Sequence, residues 1–348
     1  MKTAILTSES ADLVKAVKLL SENEVVALPT ETVYGLAANA FEAAAIKKIF
    51  SAKDRPFFDP LIVHISSHYL NDPRGLIPAL VQEGILDSEI LSLPELKLLD
   101  SVMKKYWPGP LTLILPRGTK IPDLVTASQP TVGIRCPAHP VFQFVLSKLS
   151  FPLAAPSANR FGRISPTEAS HVVSELNGRI SAIVDGGVCE IGVESTIVKI
   201  DFPFQATLLR PGKIGITELE SLLQCKIATP ATQAPSSRNQ VTPGSLDEHY
   251  APKKPLFLMP HSFSETEKTR AFLATHDLPK DFRFLKMRDL SRSEDLNEIA
   301  HLLFKSLRQL DEDPEVQAIV VDLPKDCSSG LGAAIADRLK RASKNKPA

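Results

Sequence analysis

Short apolar runs alternate with amphipathic stretches through most of this chain, and that alternation limits its fold more than any other feature. Val25-Val26-Ala27-Leu28 is stopped by Pro29. Leu61-Ile62-Val63-His64-Ile65 and Leu111-Thr112-Leu113-Ile114-Leu115 repeat the pattern, and further runs fall at 131–136, 153–155, 182–185, 195–200 and 206–209. Bounded apolar runs of this length read as buried strands. Residues 8–22, 41–51, 140–149 and 166–176 instead carry apolar side chains at helical spacing. Ser165 is placed to cap the last of these, with Glu168 three residues on. Some strands follow one another too closely for a helical crossover. The expected fold is therefore α/β, a twisted mixed sheet with helices packed on it. The leucine- and proline-rich stretch 71–99 reads as a partly helical excursion between two strands.

The pattern breaks at 226–244, which is rich in Pro, Ser and Thr and has no periodicity. Beyond it, strands at 255–259, 282–287 and 316–323 alternate with helices at 265–273, 296–310 and 331–342. Such a β-α-β-α-β-α run predicts a small parallel-sheet, Rossmann-like domain. The expected division is 1–225, then a linker 226–252, then 253–348. A chain of 348 residues accommodates two domains readily.

Composition narrows the function. With 40 Lys+Arg against 40 Asp+Glu the formal charge is zero, so a broad electrostatic grip on nucleic acid is excluded. No apolar run approaches the roughly 20 residues that span a bilayer, so no membrane is expected. The first residues are too short in their apolar part for a signal peptide. Cys136, Cys189, Cys225 and Cys327 form no CxxC pair, which argues against a zinc ribbon and fits a reducing cytoplasm.

Four clusters could carry chemistry. Pro29-Thr30-Glu31-Thr32-Val33-Tyr34-Gly35-Leu36 follows a strand and offers hydroxyls and a carboxylate, either to a polar pocket or to cap a helix. Lys53-Asp54-Arg55-Pro56 either closes a helix or clamps phosphate. His64 in its apolar strand reads more readily as a core residue. Ala155-Pro156-Ser157-Ala158-Asn159, with Ser165 beyond it, lets backbone approach a ligand or merely joins a strand to a helix. Asp185-Gly186-Gly187 reads as a turn, and Glu194-Ser195-Thr196 opens a strand that could face the same pocket. Arg135 and Arg210 are strand-end cations. Lys53, Arg55, Arg135 and Arg210 together outline an anion-binding cleft in a neutral protein. There is no P-loop, GxGxxG, GxSxG or HExxH.

These segments, with Pro60-Leu-Ile-Val-His64, Trp107-Pro-Gly-Pro-Leu-Thr112, Val132-Gly-Ile-Arg-Cys-Pro137, Glu194-Ser-Thr-Ile-Val198 and Leu209-Arg-Pro-Gly212, occur in an order that resembles the YrdC-type threonylcarbamoyl-AMP synthases. His249-Tyr-Ala-Pro252 and Gly330-Leu-Gly-Ala-Ala-Ile-Ala-Asp-Arg-Leu339 resemble the long, two-domain form. The resemblance implies that L-threonine, bicarbonate or CO2, and ATP give threonylcarbamoyl-AMP and pyrophosphate, with Mg2+ accompanying ATP. Separate tRNA threonylcarbamoyl-transferase proteins would use the product beside the anticodon.

Carried over by motif, Thr32, His64, Arg135 and Ser195 would hold threonine. Lys53 and Arg55 would be the catalytic cations on the phosphates. Asp59, Thr131, Ala155, Ser157, Asn159, Ser165 and Arg210 would join them at the ATP site, and Tyr250 would close over it from the linker. No residue is assigned to a metal. The family usually has Asn where this chain has Asp59, a carboxylate that repels phosphate unless a cation stands between. The linker here reads Ser245-Leu246-Asp247-Glu248 where the family is basic and aromatic. The run 338–346 reads as a solvated helix end, the alternative being a weak contact with tRNA. Related enzymes that adenylate carbamoyl phosphate carry zinc-finger-like Cys clusters, absent from this sequence.

Overall fold

The apolar runs of the first two thirds assemble into a mixed 11-stranded sheet. The computed structural model describes residues 2–201, 204–229, 250–259, 267–275, 284–328 and 330–343. The strands are β1 (Ala4–Leu6), β2 (Val26–Leu28), β3 (Gly35–Asn39), β4 (Ile62–His64), β5 (Leu111–Pro116), β6 (Thr131–Arg135), β7 (Leu153–Ala154), β8 (Ala182–Val184), β9 (Thr196–Asp201), β10 (Gln205–Arg210) and β11 (Ile227–Ala228). Their order is β1-β8-β2-β3-β7-β4-β6-β5-β9-β10-β11. β4 pairs parallel with β6, and β5 with β9, while β2–β3 and β5–β6 are antiparallel. The sheet is mixed, as the short connections require.

Eight helices of this part are α1 (Ser10–Ser21), α2 (Ala43–Lys53), α3 (Leu76–Gln82), α4 (Leu96–Tyr106), α5 (Asp123–Thr126), α6 (Pro140–Ser147), α7 (Ala169–Leu176) and α8 (Ile216–Leu223). Alternate residues of β2 feed opposite cores, as a period of two demands. Ala27 packs with Ile46, Ile49 and Phe50 of α2. Val26 and Leu28 pack with Leu13 and Leu20 of α1 and with Phe142 and Val145 of α6. The 71–99 excursion is α3, the start of α4 and short 3-10 turns, in line with its reading from sequence.

Several elements depart from the sequence pattern. α7 starts at Ala169, not at Pro166, and Ser165 does not cap it. The Ser165 hydroxyl donates to Glu194 instead, and the Pro166 carbonyl accepts from the Tyr34 amide at 2.9 Å. Those two contacts hold 165–166 against the 30–35 loop and delay the helix. β1 and β3 carry no clear alternation: β1 is three residues long, and β3, Gly-Leu-Ala-Ala-Asn, is buried along its whole length.

The rest of the chain builds a four-stranded sheet from β12 (Leu256–Leu258), β13 (Glu267–Ala274), β14 (Phe284–Asp289) and β15 (Ala318–Val321), with α9 (Leu296–Glu312) and α10 (Gly330–Ser343). All its pairings are parallel. The expected helix at 265–273 is wrong: this segment is β13, hydrogen-bonded between β14 and β15. Backbone pairing on both sides overrides its local spacing. Tyr250–Pro252 leads into this part, and most of the expected linker, 230–249, lies outside the described residues. No helix of the described residues is long and apolar enough to cross a membrane.

The two sheets share a core. Val33, Ile164, Ile191 and Val193 of the large part pack with Leu303, Phe304 and Leu307 of α9 and with Ile335 and Leu339 of α10. Lys305–Glu168 at 3.0 Å and Arg308–Glu175 at 2.7 Å tie α9 to α7 and its N-cap.

Candidate active site

Strand ends converge on one cavity. The 30–35 loop after β2, Ile62 and His64 of β4, Arg135 at the end of β6, the 155–157 segment after β7, Glu194 before β9 and Arg210 at the end of β10 all line it, with Arg55 and Tyr250. Strand ends are where α/β sheets gather ligand-binding side chains.

The 30–35 loop is folded by its own hydroxyls. Thr30 Oγ1 donates to the Val33 carbonyl at 2.7 Å and accepts from the amides of Thr32 and Val33 at 3.1 and 3.2 Å. This fixes Thr32 Oγ1, which accepts from Arg135 Nη2 at 2.9 Å. Glu31 caps no helix. Its Oε1 accepts from Arg135 Nη2 at 2.7 Å and its Oε2 from the Ala138 amide at 2.9 Å. The Arg135 guanidinium is thus buried, paired and aimed. Tyr34 reaches under the loop, its hydroxyl donating to the Gly187 carbonyl at 2.7 Å. That contact anchors the Asp-Gly-Gly turn, and burial pushes the phenol pKa up.

His64 is 3% exposed, with its ring 5.2 Å from that of Phe142. Burial, followed by the neighbouring Arg135 charge, lowers its pKa to about 3, so the ring is neutral at physiological pH. It is both a core residue and a lining one.

Arg55 and Arg210 line the same cavity. Arg55 Nη2 donates to the Pro60 carbonyl at 2.8 Å and forms an ion pair with Asp59 at 2.9 Å. Asp59 is wholly buried behind Arg55 and does not line the cavity. The Asp59 carboxylate is therefore paired with a cation rather than left bare. Arg210 Nε and Nη2 donate to the carbonyl and hydroxyl of Ser195 at 3.1 and 3.0 Å.

The remaining sequence candidates sit behind the lining. Lys53 ends α2, and its ammonium donates to the carbonyls of Ser157 and Asn159. Burial, then the Arg55 charge, drives the Lys53 pKa well below that of an ordinary lysine. It braces the 155–159 segment and does not line the cavity. Ser195 is buried beneath Arg210, its hydroxyl 2.8 Å from Thr112 Oγ1. Asn159 donates to the carbonyls of Arg160 and Arg163, both at 2.8 Å, and holds the turn. Ser165 serves Glu194. Thr131 is half-buried at the start of β6, outside the lining. Ala155 and Ser157 do line it, and Gly35 sits so close that an added Cβ would lie 3.3 Å from the Ala155 methyl.

Three charged residues were not given site roles from sequence. Glu31 and Glu194 belong to recognised motifs, but nothing in their spacing says that they orient arginines. Arg338 was read as part of a solvated helix end, which the structure corrects. Its side chain is 1% exposed, and Nε donates to Glu194 Oε2 at 2.9 Å. The available signal was its place on the apolar face of α10, among Leu331, Ile335, Leu339 and Ala342, where a cation needs a buried partner. Among the described residues no group of three His, Cys, Asp or Glu gathers to hold a metal ion.

The site combines the Arg135 guanidinium and its neighbouring hydroxyls with two further guanidinia, Arg55 and Arg210. That arrangement suits a small carboxylate-bearing ligand beside a polyanion, with catalysis by placement and charge stabilisation. Comparison with known proteins places it. A family model of the Sua5, YciO and YrdC proteins, described as "Telomere recombination", matches residues 18–212. A second, described as "Threonylcarbamoyl-AMP synthase, C-terminal domain", matches 214–344. The threonylcarbamoyl-AMP synthase of Bacillus subtilis is 36% identical over 351 residues, covering 97% of this chain and 94% of that protein. That of Pyrococcus abyssi is 34% identical, covering 94% and 93%. The crystal structure of P. abyssi Sua5 complexed with L-threonine superposes with a TM-score of 0.81, at 33% identity and 98% coverage of both chains. The chain belongs to the threonylcarbamoyl-AMP synthase family. Both family models match it, one after the other, as in the long form of these enzymes.

Proposed function

We propose that this chain joins L-threonine, bicarbonate or CO2, and ATP to give threonylcarbamoyl-AMP and pyrophosphate. The observation that carries the reading is the buried Arg135, held by Glu31 and Thr32 in a cavity whose other lining cations are Arg55 and Arg210. In this reading Arg135 takes the threonine carboxylate, with Thr32 and the neutral His64 beside the amine. The amine adds to CO2 and releases a proton, giving a carbamate. A carbamate oxygen attacks the α-phosphorus, and pyrophosphate leaves with the electrons of the broken P–O bond. Arg55 and Arg210 face the phosphates and offset the charge that develops on them. Ala155 and Ser157 line the nucleotide side, and Tyr250 closes it.

Lys53, Asn159, Ser165 and Ser195 support that wall from behind, Asp59 orients Arg55, and Thr131 stays outside. Mg2+ is assigned to the triphosphate it arrives with. Residues 1–225 would carry the chemistry, Tyr250 would cover it and 253–348 would brace it. The product would pass in the cytoplasm to proteins that modify the adenosine beside the tRNA anticodon.

The test is pyrophosphate release with ATP and Mg2+, omitting L-threonine and bicarbonate in turn, with mass spectrometry of the adenylate. Release that requires both supports the reading. Release with neither, or no adenylate of threonylcarbamate, rejects it.

A further inference from the structure

Glu194 is out of place in an anion site. It is the sole Asp or Glu among the described residues lining a cavity that three arginines also line. It is 6% exposed, and an uncompensated carboxylate there would oppose a triphosphate. Its two oxygens are both occupied. Ser165 Oγ donates to Oε1, and Arg338 Nε donates to Oε2 at 2.9 Å. Arg338 comes from α10, beside the small sheet, 144 residues away in sequence.

Another nitrogen of this guanidinium reaches the backbone next to Arg210. Nη1 donates to the carbonyl of Pro211, the residue after Arg210, at 2.8 Å, and to Asp337 Oδ2 at 3.1 Å. Its central carbon lies 5.2 Å from the centroid of the Tyr250 ring, within reach of a cation–π contact. Tyr250 is stacked in turn on Phe304 of α9 at 5.9 Å. One buried cation thus touches Glu194, Tyr250 and the backbone beside Arg210.

We infer that Arg338 is a positioning residue of the nucleotide site, supplied by the small-sheet part: it neutralises Glu194 so that the cavity accepts a polyphosphate. This rests on the reading of the cavity as the ATP site. It makes the second part of the chain a component of nucleotide binding, acting through the carboxylate that would otherwise repel the ligand. Threonine, assigned to Arg135, is not addressed by Arg338.

The experiment is calorimetric titration of the full chain with a non-hydrolysable ATP analogue plus Mg2+, and separately with L-threonine. The chains compared are wild type, Arg338→Met, Glu194→Gln and the double variant. Arg338→Met is expected to weaken the ATP analogue about tenfold or more, the effect of one uncompensated charge in a poorly screened site, and to leave threonine within about twofold. The double variant is expected to return to within about threefold of Glu194→Gln, because removing the carboxylate removes the need for its partner. A merely structural Arg338 would weaken both ligands alike and show no rescue, and either result overturns the inference. Unchanged affinity in Arg338→Met overturns it as well. If Arg338→Met does not fold, the two chains that lack the carboxylate decide. Equal affinities for Glu194→Gln and the double variant support the inference, and a further tenfold loss in the double variant overturns it. A wild-type chain that binds no ATP analogue overturns the reading of the cavity itself, and this inference with it.

Discussion

Arg135 and His64 show how much of the site depends on single buried side chains. The Arg135 fork meets Glu31 and Thr32 through Nη2 and the Gly109 carbonyl through Nε at 3.4 Å. Lysine would keep the charge but lose the planar fork. Arg135→Lys is therefore expected to raise KM for L-threonine by about tenfold or more while moving KM for ATP much less. Steady-state kinetics with each substrate varied in turn checks this, and an equal rise in both constants would refute the assignment. His64 gives a pH dependence. The unfolded chain takes up its proton near pH 6.5 and the folded chain only near pH 3, because burial and Arg135 disfavour the imidazolium. Between these values the unfolded state holds more protons, so stability falls as pH falls, by up to about 1.4 kcal/mol per pH unit from this group. His171, lowered to about 4 by burial and then by Arg308, adds a second contribution in its own window. Urea unfolding of His64→Gln at pH 4 to 6.5 should show a shallower slope than wild type. Parallel slopes would mean that His64 is not held neutral.

Elements position these side chains, and the segment after β10 packs hard against the start of β9. A Cβ on Gly212 would lie 2.3 Å from the Thr196 amide nitrogen and 2.7 Å from the Ser195 carbonyl carbon, neither of which can swing aside. Gly212→Ala should cost about 1–3 kcal/mol, the range for overpacking, and move Arg210 off Ser195. A lower melting temperature together with a severalfold higher KM for ATP is expected, and an unchanged KM would detach Arg210 from the nucleotide. Most of the sheet was legible because its strands are bounded apolar runs. β3 was not, since small residues buried on both faces leave no alternation to read. β13 was taken for a helix because its pairing partners β14 and β15 are distant in sequence and invisible to local spacing. The motif arginines were legible as strand-end cations. Which of the other charged motif residues line the cavity was not: Lys53, at the end of α2, turns to the carbonyls of Ser157 and Asn159, and Asp59 pairs with Arg55 outside the lining.

At the scale of the molecule, the question is whether the two sheets act as one body. Gly192 decides it sharply. It adopts φ +84°, and its amide donates to the Thr32 carbonyl at 3.1 Å. A Cβ there would stand 2.3 Å from the Ala300 carbonyl oxygen and 2.7 Å from the His301 Cα, both backbone atoms of α9. Gly192 itself does not line the cavity. Alanine would carry a left-handed strain of about 1–3 kcal/mol and would also push α9 away from Ile191 and Val193. α9 carries Phe304, on which Tyr250 stacks, and packs against α10, which carries Arg338. One methyl group outside the site should therefore weaken ATP use severalfold. It should also lower or split a calorimetric unfolding transition that the shared core makes single in the wild type. Scanning calorimetry read beside KM for ATP makes the test. If Gly192→Ala keeps one transition and an unchanged KM, the shared core is a passive contact and the small sheet does not brace the site. If the transition splits and KM rises together, the cavity is a property of both sheets, held by contacts that neither part of the chain can make alone.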